Sequence, residues 1–276
     1  MENLIFDKKK IDFYELALIA RKNKLDHYEI LYKAYKKNIL LDDNQKILLK
    51  FIQSFKNKKN IKSQLYQDIF ASFIVNDKFD KSFLEFGATD GSSLSNTYML
   101  EEELKWKGVL SEPSPQWHTS LKLIRQNSKI VTKCVWAETG KKLEFFVSDI
   151  GELSTINSFV ENEKGSMSGN VDLRKKSGKL ILVETISLND LINENFNDKV
   201  PSYISIDTEG SEYEILKTFN FDIYRPKVFT IEHNFTLNEQ KIDNLMNYNN
   251  YKRIFKELTA FDAWYVSNEV FVDLQS

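Results

Sequence analysis

The sequence predicts an α/β fold: a mostly parallel sheet with helices on both faces and a helical extension in front. Three observations carry this. Short apolar runs near 82–86, 109–112, 130–135, 203–207 and 228–232 alternate with helix-like segments. That alternation builds parallel sheets with crossover helices. The first run turns sharply at Gly87 and Gly91 into a polar segment, as a buried strand does when it enters a helix. Four of the runs close on an acid, at Glu85, Glu112, Asp207 and Glu232.

The elements follow in order. Residues 11–55 carry Ile11, Tyr14, Leu18 and then Tyr28, Leu31, Tyr32 and Tyr35 at helical spacing, with lysines opposite. Two or three helices are expected, broken near Asn23 and at Asp42-Asp43, with a linker at 57–60. Their lysines are read first as a solvated face, and second as a docking element for a partner or an acidic substrate. A new helix opens after Ser63, a candidate N-cap, and the first strand follows. A helix is expected over 94–105, ended by Gly108 as its C-terminal glycine. The second strand stops at Pro113 and Pro115, which start a helix over 115–126.

The third strand is expected at 130–135, and 142–148 with 180–185 alternate as a hairpin-like pair. Between them, 149–179 is polar and long for a connection, so it reads as a lid or a surface excursion. Arg174, Lys175 and Lys176 in it are read as solvated, or as contacts for an anionic substrate. Helices at 188–195, 211–219 and 236–248 alternate with the strands at 203–207 and 228–232. Strands at 251–255 and 263–267 close the chain as an antiparallel edge hairpin. The expected division is a helical extension over 1–60 and one domain over 61–276.

Composition narrows the function classes. The chain of 276 residues has a net charge of −2, which implies no global attraction to nucleic acid or membrane. Residues 1–62 hold 15 Lys/Arg against 8 Asp/Glu, a net of +7, which leaves −9 for the rest. No run approaches a membrane span, and the first residues do not resemble a signal peptide. A single cysteine, Cys134, forms no internal disulfide and fits a reducing cytoplasm; it reads as a packed residue, not a nucleophile.

In open α/β sheets ligands bind beyond the C-terminal strand ends, where the four acids fall. The turn after Glu85 offers free backbone N–H groups to an anion, while Glu85 itself suits an ammonium. A zwitterion such as the amino-acid tail of S-adenosylmethionine fits this pairing. Glu112, about 20 residues further on at the next strand end, is placed to take a ribose diol. NAD shares that feature, but Gly87 and Gly91 are not the G-x-G-x-x-G that a pyrophosphate needs. Among the remaining acids, Asp207 is the better candidate to face the crevice. His233 is a candidate general base. Asp207, Glu232, His233 and Asn234 are also a candidate set for one hard divalent cation.

These motifs together resemble the FkbM-type S-adenosylmethionine-dependent methyltransferases. The resemblance rests on Ser63-Gln64 with Gln67-Asp68, Phe83 to Gly91, Ser95 to Tyr98 with Leu100-Glu101, and Trp106-Lys107-Gly108. It continues through Glu112-Pro113, Asp207 to Gly210 with Glu212, and Glu232-His233-Asn234. Thr89 stands where the family more often has Asn. The resemblance implies a Rossmann-like class I methyltransferase sheet of order 3-2-1-4-5-7-6. It also implies methyl transfer to oxygen, commonly a hydroxyl of a sugar, glycan or related small molecule. By position it makes Glu85, Gly87, Ala88, Asp90, Gly91, Asn96, Glu112 and Gln67 cofactor-binding residues. His233 and Asp207 as catalytic residues are an inference from their placement. A non-catalytic nucleoside-binding module and an NAD-dependent sugar-modifying enzyme are the competing readings. A nucleic-acid substrate is disfavoured by the acidic crevice side.

Overall fold

Apolar residues in the strands alternate between two cores, and this sets the layers. In the computed structural model, which describes residues 9–161, 168–197 and 199–275, the strands are β1 (Ser82–Phe86), β2 (Lys107–Ser111), β3 (Lys129–Val131), β4 (Cys134–Trp136), β5 (Lys142–Ser148), β6 (Thr155–Ile156), β7 (Gly178–Ser187), β8 (Tyr203–Ile206), β9 (Val228–Glu232), β10 (Tyr251–Ile254) and β11 (Asp262–Ser267). The expectations for the first eight residues and for 162–167 fall outside the described residues. Phe83, Leu110, Tyr203, Val228 and Trp264 point to one core. Their chain neighbours Leu84, Val109, Ile204, Phe229 and Tyr265 point to the other. This two-residue period packs helices on both faces of the sheet.

The first core takes in helices α1 (Phe13–Asn23), α2 (His27–Lys36), α3 (Gln45–Gln53) and α4 (Gln67–Val75). The three N-terminal helices therefore share a core with the sheet. Phe13, fully buried, stacks on Trp264 with ring centroids 5.5 Å apart. Short helices α5 (Tyr98–Glu102) and α6 (His118–Ile124) lie on the same side. The helix α7 (Ser168–Lys176) belongs to the insert. The second core packs α8 (Leu188–Asn195), α9 (Glu212–Leu216) and α10 (Asn238–Tyr248). A final helix, α11 (Asn268–Gln275), returns to the first face. Among the described residues no helix is long and apolar enough to cross a membrane.

The main sheet runs β10-β11-β9-β8-β1-β2-β3. Its seven strands taken alone fall in the order 3-2-1-4-5-7-6, but the chain numbering departs from it because β4 to β7 leave for a second sheet. That sheet, β4-β7-β5-β6, extends the hairpin expected at 142–148 and 180–185; β5 and β7 pair antiparallel over their length. The single strand expected at 130–135 splits in two. β3 pairs with β2, and β4 pairs with β7. The Ser111 hydroxyl donates to the Lys133 carbonyl at 2.8 Å and holds the crossover between them. The reversed strand is β11, one in from the edge, and β10 at the edge runs with the rest.

Three local expectations need correction. Ser63 does not cap α4, which begins four residues later with no side-chain cap; its hydroxyl donates to the buried Asp68 carboxylate at 2.6 Å. Gly108 is not a helix terminator but part of β2. A Cβ there would lie 2.3 Å from the Phe83 ring, so the close packing of adjacent strands requires glycine. The helix expected over 94–105 shrinks to five residues, because residues 95–97 are drawn instead toward Glu85.

Candidate active site

A cavity of about 400 Å³ opens at the C-terminal ends of β1, β2, β8 and β9, a volume usual for small-ligand sites. The glycine turn forms its floor. Gly87 has φ +82°, and a Cβ there would lie 1.7 Å from the Asp207 carbonyl oxygen. The first strand end and the fourth thus touch through a missing side chain. Gly91, at φ +83°, leaves space that Leu121 and Arg125 fill. Ala88 lines the cavity. Asp90 does not: its carboxylate accepts from the backbone N–H groups of Ser92 and Ser93, each at 2.7 Å, and so shapes the turn.

Glu85 lines the cavity but is already engaged. Its carboxylate accepts from the Asn96 N–H at 2.8 Å, the Ser95 hydroxyl at 3.1 Å and the Thr97 hydroxyl, and Arg125 stands 3.6 Å away. Arg125 is wholly buried and also pairs with Glu101 at 2.8 Å. These partners use most of the carboxylate's acceptor positions. An ammonium at Glu85, expected from sequence directly or through water, would share the carboxylate with these partners, and Glu85 also folds the segment that presents Asn96. The Asn96 amide donates to the Ser205 hydroxyl at 2.9 Å, while its Oδ1 is buried without a partner in the cavity wall. Gln67 is displaced from the site. It is buried between the Leu65 N–H and Asp262, and Gln64 lines the cavity in its place.

Glu112 sits where the sequence put it. Its two oxygens accept from the Thr89 N–H at 2.9 Å and the Ser114 N–H at 2.7 Å. Burial pushes its pKa up to about 7, against those two amides and with Asp207 adding repulsion. Beside it Cys134 and Val135 form apolar wall. The Cys134 thiol, buried, is pushed up to about 12 and is inert as a nucleophile.

The second acidic cluster is where the structure departs most from expectation. Asp207, Glu209 and Glu232 line the cavity, and one oxygen from each lies within 4.8 Å of the others. Glu232 is held well above the carboxylate range, by burial first and then by Asp207, Glu209 and Glu212, and it hydrogen-bonds to Asp207. Its Oε2 is buried without a hydrogen-bond partner. Glu212 instead serves the backbone, accepting from the Gly210 N–H at 2.9 Å and the Thr208 N–H at 3.1 Å. His233 and Asn234 do not line the cavity. The His233 Nδ1 accepts from the Phe235 N–H at 3.1 Å, and its Nε2 lies 3.3 Å from the Arg253 guanidinium. Burial, opposed by Glu239 and reinforced by Arg253, lowers its pKa to about 4. Its place as general base, and its place with Asn234 as a metal ligand, are corrected accordingly. Glu209 replaces them in the cluster.

Glu209 was hidden from sequence because a left-handed backbone, φ +58°, turns it inward. Its partner was hidden too. Arg174, the first of three basic residues read as solvated, is fully buried. It donates to Glu209 at 2.8 Å, to the Leu153 carbonyl at 2.6 Å and to the Val160 carbonyl at 3.1 Å. The Thr155 hydroxyl adds a bond to the Glu209 carbonyl at 3.0 Å. Residues 150–154, with Asn170 and Leu173 on α7, thereby form one wall of the cavity.

A doubly covered sheet of this order defines a class I methyltransferase fold, with its ligand cavity at the glycine turn and the acid of the second strand. The profile of the methyltransferase FkbM domain matches residues 85–263. The chain belongs to that family, and so to the S-adenosylmethionine-dependent methyltransferases. Similar solved structures include a precorrin-6y C5,15-methyltransferase from Geobacter metallireducens GS-15, at 11% identity and TM-score 0.39, covering 76% of this chain and 89% of that one. Another is a putative RNA methyltransferase from Pyrococcus horikoshii, at 9% identity and TM-score 0.34, covering 83% and 99%. A search of curated proteins found no match.

Proposed function

We propose that the protein methylates a hydroxyl oxygen of a sugar, glycan or related small molecule. The observation that carries this is the Asp207–Glu232 carboxyl pair, in the cavity wall and in backbone contact with the glycine turn through Asp207. The residues present fit S-adenosylmethionine. Glu112 suits the ribose diol, the unpartnered Asn96 Oδ1 suits the ammonium, and the floor at Gly87 and Ala88 admits close backbone approach. When bound, that cofactor supplies an electrophilic methyl group on a sulfonium.

An aliphatic hydroxyl is a poor nucleophile near neutral pH and has to lose its proton as it attacks. Asp207 is the group placed to accept that proton. Glu232, whose pKa is raised by burial and its acidic neighbours, hydrogen-bonds to Asp207 and orients it. Asp207→Asn is expected to lower kcat by about 10²- to 10⁴-fold, with S-adenosylhomocysteine binding retained. Release of S-adenosylhomocysteine across a panel of hydroxyl acceptors measures it. Unchanged turnover in the variant would sink the assignment, and failure to bind S-adenosylhomocysteine at all would favour a non-catalytic module.

The orphaned Glu232 Oε2 favours one second reading. A divalent cation held by Asp207, Glu209 and Glu232 would acidify the hydroxyl. Activity that survives exhaustive chelation removes it.

A further inference from the structure

Tyr14 on α1 and Gln64 lie outside residues 85–263, yet both line the cavity, and the Tyr14 ring meets that of Phe261. We infer that Tyr14 is a specificity-determining residue: with Phe261 and Gln64 it forms the acceptor wall, which selects an uncharged, ring-shaped polyol over an anionic acceptor. The inference rests on the cofactor orientation proposed above.

Position comes first. Phe261 immediately precedes β11, and its carbonyl accepts from the His233 N–H at 2.9 Å, just past the end of β9. From β2, which leads into Glu112, to β11 the sheet takes four steps, through β1, β8 and β9. At about 4.8 Å per strand this is roughly 19 Å. With the ribose at Glu112 and the reacting carbon near Asp207, two steps or about 10 Å away, the aromatic wall stands beyond the methyl group. The acceptor has to sit there.

The wall is rigid. The ring of Tyr14 meets that of Phe261 edge-on, with centroids 5.2 Å apart and planes at 76°. Next to Tyr14, Phe13 is anchored in the core against Trp264, and its N–H donates to the Leu258 carbonyl at 3.0 Å. The Asp12 carboxylate caps the helix by accepting from the Glu15 N–H at 2.8 Å. Tyr14 thus reaches the cavity from a helix tied at its start to the loop that carries Phe261.

The chemistry of the walls sets the ligand class. Aromatic rings offer faces or edges to the C–H groups of a saturated ring, and the Gln64 amide both donates to and accepts from hydroxyls. Among the described residues the cavity is lined by six carboxylates and by no lysine, arginine or histidine. Arg125 and Arg174 already pair with Glu85 and Glu209 from behind the wall. Asp207 and Glu152 keep the lining acidic, and no cation among the described lining residues is left to pair with a phosphorylated or carboxylated acceptor, which therefore meets net repulsion. The basic N-terminal helices therefore do not make this a site for acidic substrates.

The test uses the full chain saturated with S-adenosylhomocysteine and saturation-transfer NMR. The probes are methyl α-D-glucopyranoside and methyl α-L-rhamnopyranoside, with glucose 6-phosphate and glucuronate as anionic counterparts. Binding is expected for at least one neutral glycoside and for neither anion. Tyr14→Ala and Gln64→Ala are each expected to weaken that binding at least tenfold, with affinity for S-adenosylhomocysteine unchanged; Tyr14→Trp is expected to retain it. Three results overturn the inference: preferred binding of the anions, no binding of either neutral glycoside, or neutral binding indifferent to Tyr14→Ala. Tyr14-dependent binding without methylation would instead sink the proposed reaction and leave this inference standing.

Discussion

Replacing Glu112 by glutamine separates its charge from its shape. In the folded protein both oxygens accept backbone N–H bonds. The amide keeps one acceptor and turns an NH₂ toward the other N–H, which strands a buried donor at a cost of about 1–3 kcal/mol. Against this stands the cost of the charge. The carboxyl's pKa rises on folding from 4.5 to about 7, chiefly through burial. A raised carboxyl pKa favours the protonated form in the folded state. Its ionisation therefore costs nothing below about pH 4.5, and the cost grows as pH rises to about 7, reaching on the order of 3 kcal/mol above that. Glutamine is thus expected to destabilise the protein at pH 5 and to be nearly neutral at pH 8. Binding should respond in the opposite sense. A ribose diol donates to the ionised carboxylate, whose population rises from about one-tenth at pH 6 to about nine-tenths at pH 8. Wild-type affinity for S-adenosylhomocysteine should therefore climb about tenfold over that interval. The variant should bind about ten- to a hundredfold more weakly at pH 8, for the loss of a charge-assisted acceptor, with a flat pH profile. Asp262, pushed up to about 7, and Asp68, pushed up to about 6, also titrate here. Neither lines the cavity, and both remain in the variant, so the comparison isolates Glu112. Calorimetric titration at pH 6, 7 and 8 decides it; an equal pH slope in both proteins would refute the reasoning.

Gly87→Ala should cost about 3 kcal/mol or more, since a Cβ at φ +82° meets the Asp207 carbonyl at 1.7 Å. Thermal unfolding should show a Tm lower by at least about 6 °C, and an unchanged Tm would mean that the strand ends do not touch as described. Arg174→Met removes the donors that join Leu153, Val160 and Glu209. Breaking a buried pair costs about 3–5 kcal/mol, and because Arg174 joins the insert's own carbonyls to Glu209, the loss should appear locally in the insert. Hydrogen exchange at Thr155 and Ile156 should accelerate while the global transition holds; unchanged exchange would count against Arg174 as the clasp.

The helices at 13–53 were legible because their apolar stripes repeat at helical period, and the strands because each face alternates. Gly87 and Glu112 were legible because backbone sterics and strand ends are local facts. Other features were not. The helix after Gly91 is short because Glu85, ten or more positions back, takes the N–H of Asn96 and the hydroxyls of Ser95 and Thr97. The ring of His233 turns into the packing of Arg253 and Phe235, although its neighbour Glu232 faces the cavity. Successive side chains diverge past a strand end, and sequence does not say which one the crevice receives. In the basic run after residue 173 nothing distinguishes Arg174 from Lys175, yet the first is buried and the second exposed.

The sequence by itself determined the doubly covered sheet, the glycine turn at 87–91 and the acid at the second strand end. Each follows from period, backbone conformation or position within one element. Only the tertiary structure decided which side chains meet. Glu209 finds Arg174 across 35 positions, and Tyr14 finds Phe261 from the far end of the chain. Such pairs exist because the core brings distant elements within ångströms of each other, and no local pattern encodes that distance. The glycine turn, Glu112 and Asp207 as a candidate base were therefore readable in the residues, while the turning of His233 away from the cavity and the wall of Tyr14 and Phe261 had to be seen in the fold.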